Sequence, residues 1–120
     1  MYEPAPAEFK IVPSRSQTVV VEVLGEHDTA TKDDGAELFG RLIAEYELVI
    51  VDLTETQFID SSFLRNLSHA QRTAQEKGHK ILLQMGAGTT VKRTLEISGF
   101  LTQFEHVSSR DEALAWAAQR

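Results

Sequence analysis

Residues 48–53 read Leu-Val-Ile-Val-Asp-Leu, a run that places apolar side chains on both faces of an extended segment. An antiparallel strand with one solvated face alternates apolar and polar residues, whereas a strand covered on both faces does not. Strands of the second kind occur almost only in parallel sheets that carry helices on each side. This segment therefore predicts an α/β domain in which residues 48–53 form a central parallel strand.

Strand-like and helix-like segments alternate on either side of this run. Further strands are predicted at residues 8–12, 18–24, 80–85 and 104–107, the first two as a hairpin. Residues 25–28 are expected to end the second strand, and residues 54–59 to be a short connection. Helices are predicted at residues 31–46, from Asp60 to a C-cap at Gly78, at residues 89–98, and after a capping box of Ser109 and Glu112. The order β-β-α-β-α-β-α-β-α indicates a single α/β domain with a mixed, mostly parallel sheet of four or five strands and about four helices.

The start of the first helix gives two finer predictions. Thr31 and Asp34 have the spacing of a capping box, in which two side chains bond to main-chain N–H groups of the first turn. Gly35 and Gly40 each weaken a helix by about 1 kcal/mol relative to alanine, which predicts close packing at both positions as compensation.

The two ends of the chain differ in character. Residues 1–7 hold two of the three prolines and are predicted to be a flexible lead, so that the domain spans residues 8–120. The N-terminus lacks the basic and apolar regions of a signal peptide. The longest apolar run, residues 113–118, is too short to cross a membrane. We therefore expect a cytoplasmic protein without membrane insertion.

Charge and cysteine content exclude several classes of function. The chain has 18 acidic and 12 basic residues, a net charge of −6, and no cysteine. Non-specific nucleic-acid binding needs clustered Lys and Arg, so no nucleic-acid partner is expected. Thiol catalysis and thiolate metal sites are absent. The histidines lack the spacing of metal ligands, and we expect neither a metal nor a cofactor. The alternative is that Asp28, Asp52 and Asp60 gather at one end of the sheet and hold Mg²⁺.

The segment at residues 58–64 carries the strongest functional signal. It follows the central strand and opens a helix, which places it at the carboxyl end of the sheet, where α/β domains usually bind ligands. Ser61 and Ser62 then face unpaired N–H groups and the positive end of the helix dipole. On one interpretation, Asp60 or Ser61 only caps the helix. On the other, one hydroxyl accepts a phosphate, whose oxygens the N–H groups can hold.

Two other chemistries are open alternatives. A nucleophilic serine needs a partner base, but the G-x-S-x-G elbow is missing and no histidine can be assigned to Ser61 or Ser62. A G-x-G at residues 86–88 precedes a helix, as in nucleotide-binding turns, although Val91 stands at the third glycine of that fingerprint. A tight turn with a cap at Thr89 or Thr90 is the simpler interpretation of the G-x-G.

Five stretches taken together resemble the STAS domain, from about residue 8 to the end of the chain. They are residues 25–28, 49–53, 58–62, 78–83 and 91–100. The chain is most similar to the bacterial anti-sigma factor antagonists. That resemblance implies a non-enzymatic regulator of sigma-factor-dependent transcription, which binds an anti-sigma factor that is a serine kinase of the histidine-kinase-like ATPase fold. It also implies release upon phosphorylation, with a metal-dependent serine phosphatase resetting the antagonist.

The resemblance also assigns roles to residues. The acceptor in the family is the serine directly after the aspartate of Asp-Ser-Ser, which maps onto Ser61, with Ser62 as the alternative acceptor. Asp28 matches the family aspartate beside that serine. The partner-binding set predicted in this way is Asp28, Asp60, Ser61, Ser62, Phe63, Leu64 and Arg65.

This sequence departs from the family directly after the serines. Where the family usually continues with Gly-Leu-Gly, this chain has Phe63-Leu64-Arg65. The two larger side chains are predicted to reshape the docking surface, and Arg65 is a candidate partner for a phosphate on either serine. The departure leaves open a constitutive STAS scaffold or transporter-associated regulatory module that has no phosphorylation switch.

Overall fold

The computed structural model describes residues 6–15 and 17–119, which contain six strands and four α-helices. The strands are Glu8–Pro13 (β1), Thr18–His27 (β2), Leu48–Asp52 (β3), Thr56–Ile59 (β4), Lys80–Gln84 (β5) and Glu105–Val107 (β6). The helices are Lys32–Glu45 (α1), Ser61–Lys77 (α2), Thr90–Ile97 (α3) and Arg110–Ala118 (α4), with 3₁₀ segments at Thr29–Thr31 and Phe100–Gln103. The predicted single α/β domain is confirmed, with one strand more than the predicted order contains.

Most of the predicted N-terminal lead lies outside the described residues. Residues 1–5 are not among them, while Pro6 and Ala7 precede β1 outside any helix or strand. The flexible lead and the domain boundary at residue 8 therefore stay predictions.

The sheet is mixed, and β3 lies at its centre. The strand order is β1-β2-β3-β5-β6, with β4 pairing with β2 off this path. β1 runs antiparallel to β2, and the other pairings are parallel. All five residues of β3 are buried, between β2 and β5. The central parallel strand predicted from its apolar run is confirmed.

Alternating strand residues divide the core between the two faces of the sheet. One face packs against α1, α2 and α3 through a large cluster that includes Val21, Val51 and Leu83. The other face packs against α4 through a smaller cluster that includes Ile50 and Leu82. Each fully buried Val, Leu or Ile contributes about 1.5–3 kcal/mol. The longest helix, α2, has 17 residues, and no helix within the described chain has the length and apolar character that crossing a bilayer requires.

β2 runs three residues past its predicted end, and the prediction that residues 25–28 end the strand is wrong. Gly25, Glu26 and His27 pair in parallel with β4, inside a segment that the sequence indicated only as a connection. The register shifts between Gly25 and Glu26, and Gly25 has φ of 83°, a left-handed conformation that glycine adopts without strain. This extension positions the start of α2, because α2 begins directly after β4.

The predicted capping box of α1 does not form. Thr31 makes no side-chain capping bond to α1; instead Asp28 caps the preceding 3₁₀ segment by accepting from Ala30 N at 2.8 Å. Close packing is confirmed at Gly35, where an added Cβ would lie 3.2 Å from Asn66 Nδ2. The same prediction is wrong at Gly40, where a Cβ would meet nothing within 4 Å.

Candidate functional site

Asp60 is the N-cap of α2 and organises the first turn of that helix. Its Oδ1 accepts hydrogen bonds from Ser62 N at 2.9 Å, Phe63 N at 3.1 Å and the Ser62 hydroxyl at 2.6 Å. Partial burial acts to raise the pKa of Asp60, but these hydrogen bonds outweigh it and hold the pKa below its ordinary value. Asp60 is therefore an ionised cap at neutral pH, and the capping interpretation applies to Asp60 rather than to Ser61.

The two adjacent serines have opposite surroundings. Ser62 is 7% exposed, and its hydroxyl donates to Asp60. Ser61 is exposed, and its hydroxyl makes no hydrogen bond within the described part of the chain. Of the two candidate acceptors, only Ser61 presents its oxygen to a protein arriving from solvent.

The pairing of β4 with β2 brings Asp28 and Asp60 into one region. Ile59 is the register partner of His27, and Asp60 N donates to the carbonyl of His27 at 3.2 Å. Asp28 follows His27 directly and is exposed. The segment before α1 and the segment before α2 therefore lie side by side.

Phe63 corrects the predicted docking surface. Its side chain is 3% exposed, so it points into the core and not towards solvent. The ring packs edge-on against Phe39, with centroids 6.1 Å apart, and tilted against His27 at 5.6 Å. The physical reason is helical geometry, because the third residue of α2 lies on the same face as Leu67 and Ala70, which are also buried. Phe63 therefore supports the site from the core and is not part of its exposed surface.

The other two residues of the departure lie nearer the surface. Leu64 is half-buried and packs against the edge of the large core cluster, whereas Arg65 is exposed. Arg65 is four residues after Ser61 on α2, a spacing that places both on the same side of the helix. The exposed members of the predicted partner-binding set are thus Asp28, Ser61 and Arg65.

His27 is a member of the site that the sequence did not single out. It is 0% exposed and lies beneath the junction of the two segments, in contact with Phe9 and Phe63. Burial is the largest effect on its titration and lowers the pKa of His27, against the opposing hydrogen bond to the carbonyl of Leu24 and the charge of Asp28. Buried residues alternate with less buried ones along the second half of β2. Continuing this alternation to residue 27 would have predicted that the side chain of His27 is buried.

A model of the STAS domain family matches residues 10–113. The chain belongs to the STAS domain family. No curated protein sequence matches it.

Solved structures share the fold of this STAS domain. An anti-sigma factor antagonist from Mycobacterium paratuberculosis superposes with a TM-score of 0.77 at 21% identity, covering 92% of each chain. The anti-sigma factor antagonist SpoIIAA in its unphosphorylated form gives 0.79 at 18% identity, covering 94% of this chain and 98% of that one. The Bacillus cell fate determinant SpoIIAA in the phosphorylated form gives 0.72 at 18% identity, covering 92% of this chain and 99% of that one. At these identities, the likeness establishes a SpoIIAA-like fold.

A second polar cluster lies on the opposite face of this STAS domain, at the carboxyl ends of β3 and β5 and beside the middle of β2. Arg110 Nη2 is 2.9 Å from Glu22 Oε2 and 2.8 Å from Asp52 Oδ2, and its Nε is 3.2 Å from Gln84 Oε1. The hydrogen bond to Asp52 is the largest of the effects that raise the pKa of Arg110, so the guanidinium stays charged. Arg110 thereby fastens the start of α4 to β2, β3 and β5.

The sequence held a partial signal for this cluster. Adjacent strands place Glu22, Asp52 and Gln84 in register with one another. Each lies two residues after a member of the smaller core cluster, so all three lie on the face of the sheet that packs against α4. Nothing in the sequence indicated Arg110 as their common partner. The pairing excludes Asp52 from the alternative Mg²⁺ site, and the described residues contain no group of three His, Cys, Asp or Glu side chains that could hold a metal.

The G-x-G turn is explained by capping. Gly88 has φ of 76°, and Thr89 Oγ1 accepts from Lys92 N at 3.2 Å while donating to the carbonyl of Gly86 at 3.1 Å. Thr89 is thus the N-cap of α3, as one of the two sequence alternatives predicted.

The alternative of a nucleophilic serine finds no base in the described hydrogen bonds. Both ring nitrogens of His27 have other partners, and His79 Nδ1 donates to the carbonyl of Ile43 at 2.7 Å. His69 and His106 are exposed, on α2 and β6. None of the hydrogen bonds described for these histidines reaches Ser61.

Proposed function

We propose that this STAS protein is an anti-sigma factor antagonist: a non-enzymatic protein that binds an anti-sigma factor serine kinase and is released by phosphorylation at Ser61. The partner is a kinase of the histidine-kinase-like ATPase fold, and a metal-dependent serine phosphatase restores the unmodified form. In that cycle the antagonist controls how much sigma factor is free for transcription. The proposal rests on family membership, on the SpoIIAA-like fold and on the surroundings of the two serines.

The observation that carries the proposal is the contrast between Ser61 and Ser62. Phosphoryl transfer requires a hydroxyl that can enter another protein's active site, and Ser61 is exposed while Ser62 is 7% exposed. The Ser61 oxygen attacks the γ-phosphorus of ATP, the hydroxyl proton is lost and ADP leaves. Moving Ser62 into a kinase would break its 2.6 Å hydrogen bond to Asp60, whereas moving Ser61 breaks no described side-chain hydrogen bond.

The charge around Ser61 explains why phosphorylation would release a partner. A phosphate adds about 1.5–2 negative charges beside the carboxylates of Asp28 and Asp60. Two N–H groups of the first turn already donate to Asp60, so they are not free to neutralise the phosphate. Arg65, one helical turn along, is the nearest cation in sequence on the same side of α2. Phosphorylation thus makes the docking surface more negative. An acidic partner surface is then repelled, and an apolar partner surface loses its contacts with the docking surface.

The constitutive scaffold or transporter-associated module is the alternative in this proposal. Its motivation was that Phe63 and Arg65 alter the docking surface. Because Phe63 is 3% exposed, only Arg65 changes that surface directly. The burial of Phe63 thus removes one of the two observations that motivate the alternative.

The test is phosphorylation by candidate anti-sigma kinases with ATP, followed by mass spectrometry of the wild type, Ser61→Ala and Ser62→Ala. We expect phosphate in the wild type and in Ser62→Ala, and none in Ser61→Ala. Titration calorimetry with the kinase should show binding by the wild type and Ser61→Ala, and loss of binding by Ser61→Asp.

Two results would contradict the proposal. Phosphate on Ser62 with Ser61 unmodified would reassign the acceptor. Absence of phosphate with every candidate kinase, together with undiminished binding by Ser61→Asp, would favour the constitutive alternative. Thermal unfolding of each variant serves as the control, because a substitution at exposed Ser61 should leave the fold unchanged.

A further inference from the structure

His27 is enclosed by side chains of β1 and α2, beneath the candidate site. Its ring is 0% exposed and lies 4.7 Å from the ring of Phe9 and 5.6 Å from the ring of Phe63, between centroids. Its main-chain carbonyl accepts from Asp60 N at 3.2 Å. A change in the charge of His27 would therefore be felt at the first turn of α2.

The hydrogen bonds of the ring define its protonation state. Nε2 lies 2.9 Å from the carbonyl of Leu24, which can only accept, so Nε2 carries a proton. Nδ1 lies 3.2 Å from Thr31 Oγ1. In the neutral ring, Nδ1 is an acceptor and competes for the single hydroxyl proton of Thr31 with the carbonyl of Asp28, 3.3 Å away.

A second proton on the ring would fit the same geometry. Nδ1–H would donate to Thr31 Oγ1, and the Thr31 hydroxyl would then donate to the carbonyl of Asp28 without competition. The main chain need not move. The ring centroids of Phe9 and Phe63 lie 4.7 and 5.6 Å from that of His27, within the roughly 6 Å over which an aromatic ring attracts a cation. The protonated ring is therefore compatible with the folded site, and burial is what opposes it.

The charge that acts on His27 is that of Asp28, which follows it in the chain. The contacts of Asp60 and Glu8 with His27 are made by main-chain groups, the N–H of Asp60 to the His27 carbonyl and the main chain of Glu8 to the ring. Phe63 faces the ring from α2, and Thr31 faces it from the 3₁₀ segment. None of these described neighbours is Lys or Arg. A phosphate on Ser61, adjacent to Asp60, would add to this negative potential.

We propose that a proton on His27 and a phosphate on Ser61 stabilise one another. The inference rests on the proposed function, since it takes Ser61 as the acceptor. Because coupling between two binding events is reciprocal, phosphorylation draws a proton onto His27, and a fall in pH favours the phosphorylated form. His27 thus makes release of the partner sensitive to pH through an interior group.

The test compares Ser61→Glu with Ser61→Gln, two side chains of similar shape that differ in charge. Imidazole NMR signals of His27 are followed across a pH titration, with exposed His106 on β6 as the internal reference. We expect the titration midpoint of His27 to lie at higher pH in Ser61→Glu than in Ser61→Gln. The signals of His106 should not differ between the two variants, and added salt should narrow the difference in midpoint at His27.

Equal midpoints for His27 in the two variants would overturn the inference, as would a ring that stays neutral in both throughout the pH range in which they are folded. The same titration on protein phosphorylated at Ser61 separates the two proposals. A phosphorylated protein in which His27 titrates as in the unmodified one overturns the linkage and leaves the antagonist proposal intact. A difference between the Glu and Gln variants, in a chain that no candidate kinase phosphorylates and whose Ser61→Asp variant binds undiminished, supports the linkage while the antagonist proposal fails.

Discussion

Replacing Phe63 with alanine tests whether the residue that departs from the family pattern belongs to the core or to the docking surface. The side chain is 3% exposed, so its removal leaves a cavity between α1, α2 and the end of β2. Truncating a buried Phe costs about 3–5 kcal/mol. That figure includes two ring contacts, with Phe39 and His27, each worth about 0.5–1.5 kcal/mol. We expect the Phe63→Ala protein to lose a large part of the 5–15 kcal/mol typical of a domain.

Phe58→Ala is the matched control, because Phe58 is 48% exposed and lies only five residues earlier, on β4. Equilibrium urea unfolding, followed by circular dichroism, should place Phe58→Ala within about 0.5 kcal/mol of the wild type. The midpoint for Phe63→Ala should fall substantially with an unchanged m value. Phe63→Leu, which keeps most of the volume, should cost less than about 1.5 kcal/mol and guards against a variant that fails to fold.

A cost for Phe63→Ala no greater than that for Phe58→Ala would refute the placement of Phe63 in the core. The residue would then contact the partner directly, as the sequence alone suggested. Kinase binding gives an independent readout, since Phe63→Leu should retain binding if the side chain only supports the site from below.

Three further predictions concern the rest of the fold. Asp60→Ala should lower the free energy of unfolding by about 1–2 kcal/mol at neutral pH, because the cap of α2 is lost. Since folding lowers the pKa of Asp60, the wild type is the more stable protein at pH values above the ordinary pKa of an aspartate. The difference in unfolding free energy between the two proteins should shrink as the pH falls below about 4. Arg110→Ala should lower the free energy of urea unfolding by about 1–3 kcal/mol, because the buried carboxylate of Asp52 loses its partner. Lys80→Ala breaks an ion pair whose two side chains are each 50% exposed, and should cost less than about 1 kcal/mol. Equal costs for the two variants would contradict the anchoring role of Arg110. Gly40→Ala should raise the midpoint of thermal unfolding, because it stabilises α1 by up to about 1 kcal/mol. Gly35→Ala should lower the midpoint, because the new methyl group meets side chains of β1 and α2.

The fold was largely predictable because its signals are local. The apolar run at Leu48–Asp52 predicts a buried parallel strand by itself, and Gly78, with φ of 73°, ends α2 where the sequence placed its C-cap. β4 was missed because its pattern, two buried ends around two exposed residues, lacks the alternation of a half-buried strand. Its pairing with β2 is a tertiary contact that no short window of sequence reveals.

The site was predictable in position but not in detail. Asp60-Ser61-Ser62 at a strand-to-helix junction follows from the order of the elements. Which serine is exposed does not follow, because that depends on the rotation of α2 about its axis. The same rotation turned Phe63 inward, and the position of His27 depended on the missed pairing of β4. Arg110 lies far along the chain from its carboxylate partners, so only the folded structure brings them together.

The central position of β3 also exposes the chain to a risk of aggregation while it is being synthesised. Its second edge is covered by β5, whose residues follow β3 only after α2 has been made. At about 5–20 residues per second, residues 53 to 84 take about 2–6 s to appear. During that time Leu48–Asp52, which is apolar except for Asp52 and lacks proline and glycine, has one unpaired edge that another nascent chain could join. The length of α2 therefore determines how long the middle of the sheet stays open to aggregation.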